Sequence, residues 1–176
     1  MYAGLHGLAQ GLGQVLEAAS AISDSEQVTF TLVGDGPERS SLIQKKEDLK
    51  LVNVRFSDPV PKNNVPGILQ KADALLVPLK IQLTGAVPSK LYEAMALGKP
   101  VLLIAAGEAA QIVRGSQCGI VVEPGDVDGL AAAILYLKNN PAECSQMGKN
   151  GREAAVRNHD RKQIADRFAM SLLSEA

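Results

Sequence analysis

The sequence predicts an α/β fold, a Rossmann-like parallel sheet with helices packed on both of its faces. Short β-branched, apolar runs alternate with stretches of helical periodicity along the chain, which is the pattern of repeated βαβ units. Several runs stop at glycine or proline, as residues 28–33 stop at Gly34, and such residues mark the end of a strand. The runs are nearly continuously apolar, as expected of strands that are covered on both faces.

The length and composition indicate one ordinary globular domain. The chain has 176 residues, of which 46% are hydrophobic and 21% are charged. This length is enough for a domain with a sizeable core. Because no internal repeat or long linker interrupts the sequence, we expect a single domain over residues 1–176.

Charge and apolar patterning exclude several classes of partner. A net charge of −1 and an aromatic content of 3% disfavour a nucleic-acid partner, which requires basic patches or stacking surfaces. The apolar runs are far shorter than the ~20 residues that span a bilayer. No basic segment precedes an apolar stretch at the N-terminus, as it does in a signal peptide. We therefore expect a cytoplasmic protein.

Cysteine and histidine are too few and too scattered to hold a metal ion. They are Cys118, Cys144, His6 and His159, and their spacing fits no metal-ligand pattern. We expect two free thiols, no metal site and no bound cofactor.

The first half of the chain divides into alternating elements. Apolar residues recur at helical spacing from Leu8 to Ile22, which predicts the first helix. The elements predicted after it are a strand at 28–33, a polar helix at 38–49, a strand at 52–56, a short helix at 61–71 and a strand at 74–78.

The second half continues the alternation. A glycine-rich turn at residues 85–88 leads into a helix that opens with Pro88, since proline fits the first helical turn. Asp126 is the predicted N-cap of a later helix. The remaining predicted elements are strands at 101–105 and 119–122 and helices at 108–115, 141–157 and 161–174.

The opening residues predict the tail of a strand. Tyr2 and Ala3 are followed by Gly4, whereas a buried parallel strand is usually about five residues long. We expect from this that the chain is a piece, or a natural half, of a larger protein.

The carboxyl ends of the strands predict a ligand site. Ligands of open parallel sheets lie outside these ends, where Gly4, Gly34 and the turn before Ser89 are expected to converge. The first turn of the helix after that turn favours an anion. Lys90 adds a positive charge there and Glu93 adds a hydrogen-bond acceptor, a set that suits a phosphate and a neighbouring ribose.

Several of these segments together resemble a known family. The matching motifs are Tyr2-Ala3-Gly4 with Ala9-Gln10-Gly11-Leu12, Val33-Gly34-Asp35-Gly36-Pro37-Glu38-Arg39, and Pro88-Ser89-Lys90-Leu91-Tyr92-Glu93-Ala94-Met95-Ala96 with Gly98-Lys99-Pro100-Val101. In this order they resemble the C-terminal, nucleotide-sugar-binding half of a retaining GT-B glycosyltransferase of the glycogen-synthase-like group 1 type. The Pro-Ser-Lys form is similar to bacterial O-antigen and capsule enzymes, including N-acetylfucosamine transferases.

The resemblance implies a role for each candidate residue. Glu93 takes the role of the carboxylate that binds the ribose hydroxyls, and Lys90 that of a catalytic cation at the leaving diphosphate. The start of the same helix would meet the diphosphate through Pro88, Ser89, Lys90 and Leu91. Gly4 and Gly7 would let the first loop approach the phosphates or the sugar, and Gly34 and Arg39 would flank the base, together with residues 60–61.

The sequence departs from the family at three positions. Members often carry an acidic residue eight positions before the ribose-binding one, where this chain has Gly85. Many also carry Arg and Lys in the first loop, where this chain has Leu5 and Gln10. Lys90 is expected to take over part of the task of neutralising the diphosphate.

The function implied is transfer of a sugar from a nucleotide-sugar, expected to be UDP-linked, to an acceptor in cell-surface polysaccharide biosynthesis. The implied partners are this donor, an N-terminal acceptor-binding domain of the same protein and a lipid-linked acceptor at the inner membrane face. The isolated chain is expected to be inactive. The alternatives are a non-catalytic nucleotide-binding module, a GT-B epimerase and a Rossmann dehydrogenase, whose third motif glycine would stand where this chain has Arg39.

Three features have a plainer interpretation beside the functional one. His6 either contacts phosphate or is an exposed loop residue, and Arg39 is a base contact or a surface charge. The basic residues near the C-terminus form a solvated helix face or a surface that favours an anionic membrane. These residues are Lys149, Arg152, Arg157, Arg161 and Lys162.

Overall fold

The computed structural model describes residues 1–22, 27–80, 87–159, 165 and 170. Six strands alternate with helices in this part of the chain. Its first elements are β1 (Tyr2–Ala3), α1 (Gly13–Ala21), β2 (Phe30–Val33), α2 (Arg39–Asp48), β3 (Val54–Ser57), a 3-10 turn (Lys62–Asn64) and α3 (Val65–Leu69). The later ones are β4 (Leu75–Pro78), α4 (Ser89–Ala96), β5 (Val101–Ile104), α5 (Gly107–Ser116), β6 (Gly119–Val122), α6 (Val127–Asn139) and α7 (Pro141–Asn158).

The strands form two parallel three-stranded sheets that meet at Met1. One sheet has the order β1-β2-β3 and the other β4-β5-β6. The amino group of Met1 donates to the carbonyl of Ala74 at 2.9 Å, and the N–H of Leu76 donates to the carbonyl of Met1 at 2.8 Å. The order across both sheets is therefore β3-β2-β1-β4-β5-β6. The direction of the connections reverses between β1 and β4, which is where ligands bind in doubly wound folds.

Helices cover both faces, as the sequence predicts. On one face α1, α2 and α6 pack a core cluster against the strands, and on the other face α3, α4 and α5 pack a second cluster. Alternate residues of β4 point to opposite faces, since Leu76 belongs to the first cluster while Leu75 and Val77 belong to the second. This is the period of two expected for a strand that is buried on both faces.

The predicted N-cap is confirmed, and the start of the first helix is wrong. The Asp126 carboxylate accepts a hydrogen bond from the N–H of Gly129 at 2.8 Å. The first helix begins at Gly13 and not near Leu8, whose side chain is 70% exposed. Gly11 has a φ of +57°, a left-handed conformation that a helix cannot continue through.

Smaller shifts occur at other boundaries. The strands predicted from residues 28 and 52 begin at Phe30 and Val54. Pro88 has a ψ of 129° and stands at the N-cap position, just before the first turn of α4. The helix therefore begins at Ser89, one residue later than predicted. The turn at Gly85 and most of the helix predicted at 161–174, with Arg161 and Lys162, lie outside the described residues.

The basic side chains on α7 are exposed, as either interpretation of them requires. Lys149 and Arg157 are open to solvent, and the Arg152 guanidinium donates to the carbonyl of Ala96 at the end of α4. Within the described ranges, none of the helices combines the length and apolar character needed to cross a bilayer.

Candidate functional site

Two glycine loops lie side by side at the carboxyl ends of β1 and β2. The N–H of Gly4 donates to the carbonyl of Val33 at 2.9 Å, and that of Gly34 donates to the carbonyl of Ser57 at 3.0 Å. Gly34 has a φ of +136°, and a Cβ at this position would lie 2.0 Å from the Gly4 carbonyl oxygen. Only glycine permits this approach of the two backbones.

His6 joins the same two loops through its backbone. Its N–H donates to the carbonyl of Asp35 at 2.8 Å, and its carbonyl accepts from the N–H of Glu38 at 2.9 Å. Its side chain is fully buried, so the interpretation of His6 as an exposed loop residue is wrong. Gly36 follows the first loop so closely that a Cβ there would lie 2.5 Å from the His6 carbonyl oxygen.

A cavity of about 700 Å³ opens between these loops and the helices α3 and α4. This volume falls within the range of small-molecule sites, roughly 300–1,000 Å³. Five of the residues predicted for the site line it together. They are Gly4, Gly34, Val60, Lys90 and Glu93.

Lys90 extends its side chain over the first glycine loop. A Cβ placed on Gly4 would lie 2.2 Å from the Cε and 2.7 Å from the Nζ of Lys90. The Nζ is also 5.9 Å from the centre of the Tyr2 ring, within the range of a cation–π contact. Tyr2 is buried and donates its hydroxyl to the carbonyl of Leu5 at 2.7 Å, and burial raises its pKa. The ring is thus a neutral platform beneath the ammonium group.

Glu93 stands one helical turn after Ser89 on α4. Its side chain is exposed and lines the cavity, so its carboxylate is available to a ligand. Ser89 is exposed at the first position of α4, and Pro88 is half-buried immediately before it. Leu91 faces away from the cavity, since its side chain is fully buried in the core. Its N–H donates to the Pro88 carbonyl at 2.9 Å.

Gly7 and Arg39 lie near the cavity but are not part of its lining. Gly7 is buried, and a Cβ there would lie 2.9 Å from the Oε1 of Gln10. The Nη2 of Arg39 pairs with a carboxylate oxygen of Asp58 at 2.7 Å. This ion pair ties the start of α2 to the segment after β3.

The outer wall of the cavity comes from residues that sequence reasoning did not single out, apart from Val60. It follows the carboxyl end of β3 and continues along α3, and its position after a strand end is the signal that could have identified it. Asp35, which follows the end of β2, also lines the cavity. It was not among the residues predicted for the site, although the same signal marks it. The wall residues are Pro59, Val60, Lys62, Val65, Pro66 and Leu69.

A larger cavity, of about 840 Å³, lies at the opposite edge of the sheet. It is lined by residues near the amino ends of the strands, among them Thr29, Asp73 and Lys99. Because parallel sheets bind their ligands at the carboxyl ends, the smaller cavity is the candidate site. No cluster of histidine, cysteine or acidic residues suited to a metal ion occurs in the described parts of the chain.

Comparison with known proteins gives a consistent result. A family model described as "Glycosyl transferases group 1" matches residues 2–154. The lipopolysaccharide core biosynthesis glycosyltransferase LpsD of Rhizobium meliloti is 31% identical over 149 residues, which cover 84% of this chain and 42% of the relative. The putative colanic acid biosynthesis glycosyl transferase WcaI of Escherichia coli is 30% identical over 96% of this chain and 41% of its own length.

Among solved structures, HepE of Anabaena in complex with UDP superposes with a TM-score of 0.87 at 23% identity, over 98% of this chain and 48% of that chain. The likeness shows the GT-B Rossmann-like fold. The chain spans less than half the length of each of these three proteins.

Proposed function

The chain belongs to the group 1 glycosyl transferases, and from this premise we propose that it binds the nucleotide-sugar donor of a retaining enzyme that builds cell-surface polysaccharide. The named roles of LpsD and WcaI support a surface polysaccharide as the product. The UDP in the HepE structure supports a UDP-linked donor. N-acetylfucosamine is one sugar that such a donor could carry.

The observation that carries this proposal is the placement of Lys90 over Gly4. It puts a cation against the first glycine loop, where both line the cavity. A diphosphate bound there would contact the ammonium group and the first turn of α4, where N–H groups favour anions. Glu93, one turn further along, would accept two hydrogen bonds from the ribose hydroxyls, which are strong because the acceptor is charged.

These residues suggest catalysis by positioning and electrostatic stabilisation. As the bond from the sugar to the diphosphate breaks, negative charge accumulates on the leaving diphosphate, and Lys90 would stabilise it. Lys62 also lines the cavity and adds a second cation near the outer wall. In this proposal Arg39 does not contact the base itself. Its ion pair with Asp58 holds the segment after β3, which would flank the base, in place.

The proposed transfer also needs a site for the acceptor. We propose that an acceptor-binding domain faces the cavity, and that the acceptor is lipid-linked and reached at the cytoplasmic face of the membrane. The chain alone would then bind the donor without transferring the sugar.

The family match decides against the dehydrogenase alternative. A nucleotide-binding module without catalysis is the second candidate. It is favoured by Leu5, which is 56% exposed where many family members carry a cation.

Titration calorimetry of the chain with UDP, GDP and NAD tests the proposal. UDP should bind with a Kd on the order of 0.1–1 mM, because about −4 to −5.5 kcal/mol is reasonable for half of a site. NAD should give no more heat than buffer. Binding of NAD without binding of UDP would overturn the assignment of the cavity to a nucleotide-sugar.

A further inference from the structure

His6 is a buried polar residue that the proposed chemistry does not use. It is fully buried in the loop after β1. Neither Nδ1 nor Nε2 makes a well-formed hydrogen bond to the residues that the structure describes, although the Val33 backbone lies near the ring. Buried polar groups are nearly always paired, so an unpaired one calls for a specific explanation.

The imidazole lies where the glycine loops meet β3. Its ring centre is 6.0 Å from that of Tyr2 on β1 and 5.9 Å from that of Phe56 on β3, with an edge-on geometry to Phe56. The backbone of the same residue makes the two hydrogen bonds to Asp35 and Glu38 that join the loops. The buried ring and these two hydrogen bonds thus belong to one residue of the loop that carries Gly4.

The charged groups around the ring favour its neutral form. Burial lowers the pKa of His6 and the nearby Arg39 guanidinium lowers it further, while Asp35 and a hydrogen-bonding contact with the Val33 backbone oppose both effects. Asp58 engages Arg39 from the segment after β3. Lys90 of α4 adds positive charge against the Tyr2 ring.

We propose that His6 is a positioning residue, which as a neutral imidazole holds the Gly4 loop against the Gly34–Gly36 loop and on protonation releases it. The proposal rests on the proposed function only in that the released loop lines the nucleotide site. The joining of the loops is a property of the chain without ligand.

The direction of the pH effect follows from linkage. The imidazole of His6 binds a proton more weakly when the two loops are joined, which we call the closed form, than in a form that exposes the ring. The pKa of an exposed histidine is about 6.5. The closed form is therefore fully favoured above about pH 6.5 and loses stability as the pH falls from there toward the lower pKa of the buried ring.

Hydrogen exchange of the chain without nucleotide tests the closure directly. Protection factors of the amides of His6 and Glu38 are compared at about pH 7.5 and pH 5, a range that brackets the histidine titration. In the wild-type chain we expect protection to fall at the lower pH, by about fivefold, in the direction that linkage to a buried base gives. In His6→Phe, which keeps a ring between Tyr2 and Phe56 but cannot titrate, protection should be independent of pH.

His159 provides the matched control, because it is the other histidine of the chain and packs against Tyr92 on α4 at 4.6 Å between ring centres. His159→Phe should retain the wild-type pH dependence. Equal pH dependence in wild type and His6→Phe, or its loss in His159→Phe, would overturn the proposal. An NMR titration that gives the His6 ring a pKa of about 6.5, the ordinary value, would also overturn it. This measurement uses the wild-type chain, so it decides the proposal even if His6→Phe does not fold.

Nucleotide binding is measured separately. If UDP binds, its affinity should fall with pH more steeply for the wild-type chain than for His6→Phe, in which only the terminal phosphate of UDP titrates between the same two pH values, and the difference should grow as the open form becomes populated. If UDP does not bind at any pH, the proposed function fails, while the exchange data still decide the role of His6.

Discussion

The side chain of Lys90 occupies the space that a Cβ on residue 4 would need. Its Cε lies 2.2 Å from the ideal Cβ position of Gly4, which has a φ of +154°. The glycine at position 4 and the lysine at position 90 are thus matched parts of one arrangement, although they lie on different strand–helix units. This pair provides the most direct test of the candidate site.

Replacing Lys90 should weaken nucleotide binding. We expect Lys90→Met to lower UDP affinity about tenfold or more, because a hydrogen bond to a charged group contributes roughly 1.5–3 kcal/mol. The aliphatic stem is preserved, so the melting temperature should change little. Calorimetry at low and high salt would also show a weaker salt dependence than in the wild type.

Lys149→Met is the control for this change, since Lys149 is exposed on α7 and lines the cavity at the opposite edge of the sheet. If both variants bind UDP as the wild type does, Lys90 has no role at the diphosphate.

Replacing Glu93 should separate ribose binding from helix stability. Glu93→Gln keeps the shape but removes the charge, and UDP affinity should fall at least about tenfold. Stability without ligand should change little, because Glu93 is exposed and lies beyond the first turn of α4, where a carboxylate contributes at most about 0.3–1 kcal/mol. A 2′,3′-dideoxy nucleotide should bind the wild type and the variant about equally.

Glu108, which is exposed in the first turn of α5, gives the matched control Glu108→Gln. A Glu93→Gln chain that is less stable but binds UDP normally would show that Glu93 serves only the helix.

The close contact of the two glycine loops predicts a large stability effect. In Gly34→Ala the new Cβ would meet the Gly4 carbonyl at 2.0 Å in a left-handed backbone conformation. We expect a loss of about 2 kcal/mol or more in the free energy of unfolding, as for other strained positions. Urea denaturation measures it directly.

Gly67 is the comparison position, because it lies in α3 and a Cβ there meets nothing within 4 Å. Gly67→Ala should be neutral or stabilise the chain by up to about 1 kcal/mol. Equal effects at positions 34 and 67 would mean that the loops separate readily.

The chain alone should not transfer sugar. Incubation with a panel of UDP-sugars and simple acceptors should release no UDP above the level of a boiled control, because the proposed acceptor-binding part lies outside this chain. Substantial transfer by the purified chain would show that the acceptor site is already present.

Local and periodic features of the fold were predictable from the sequence. The Asp126 cap depends only on neighbouring residues, and the meeting of Gly4 with Gly34 follows from parallel strands whose carboxyl ends share an edge. Side-chain contacts between distant segments were not predictable. The ring of His6 is enclosed partly by Phe56, and its glycine-rich neighbourhood alone gives no sign of burial.

The helix boundaries show the same division. Leu8 fits the apolar period of α1, but the left-handed Gly11 breaks the helix before it reaches that residue. Leu91 belongs to the motif that resembles the family, yet the face of α4 on which it lies packs into the core. Motif membership therefore identified the segment, and only the packing determined which of its side chains reach the cavity.

The seam between the two three-stranded sheets has a consequence for how the protein responds to a ligand. Met1 makes two backbone hydrogen bonds across this junction, and the N–H of Lys80 donates to the carbonyl of Ala9 at 2.8 Å just beyond it. The cavity straddles the junction, with Gly34 on one side and Glu93 on the other. A ligand that contacts both sides of the junction links the two sheets, so its binding energy stabilises their association. Because one core cluster already spans the junction, with Leu32 on one side and Leu102 on the other, the bound ligand reinforces a junction that the apolar core also maintains.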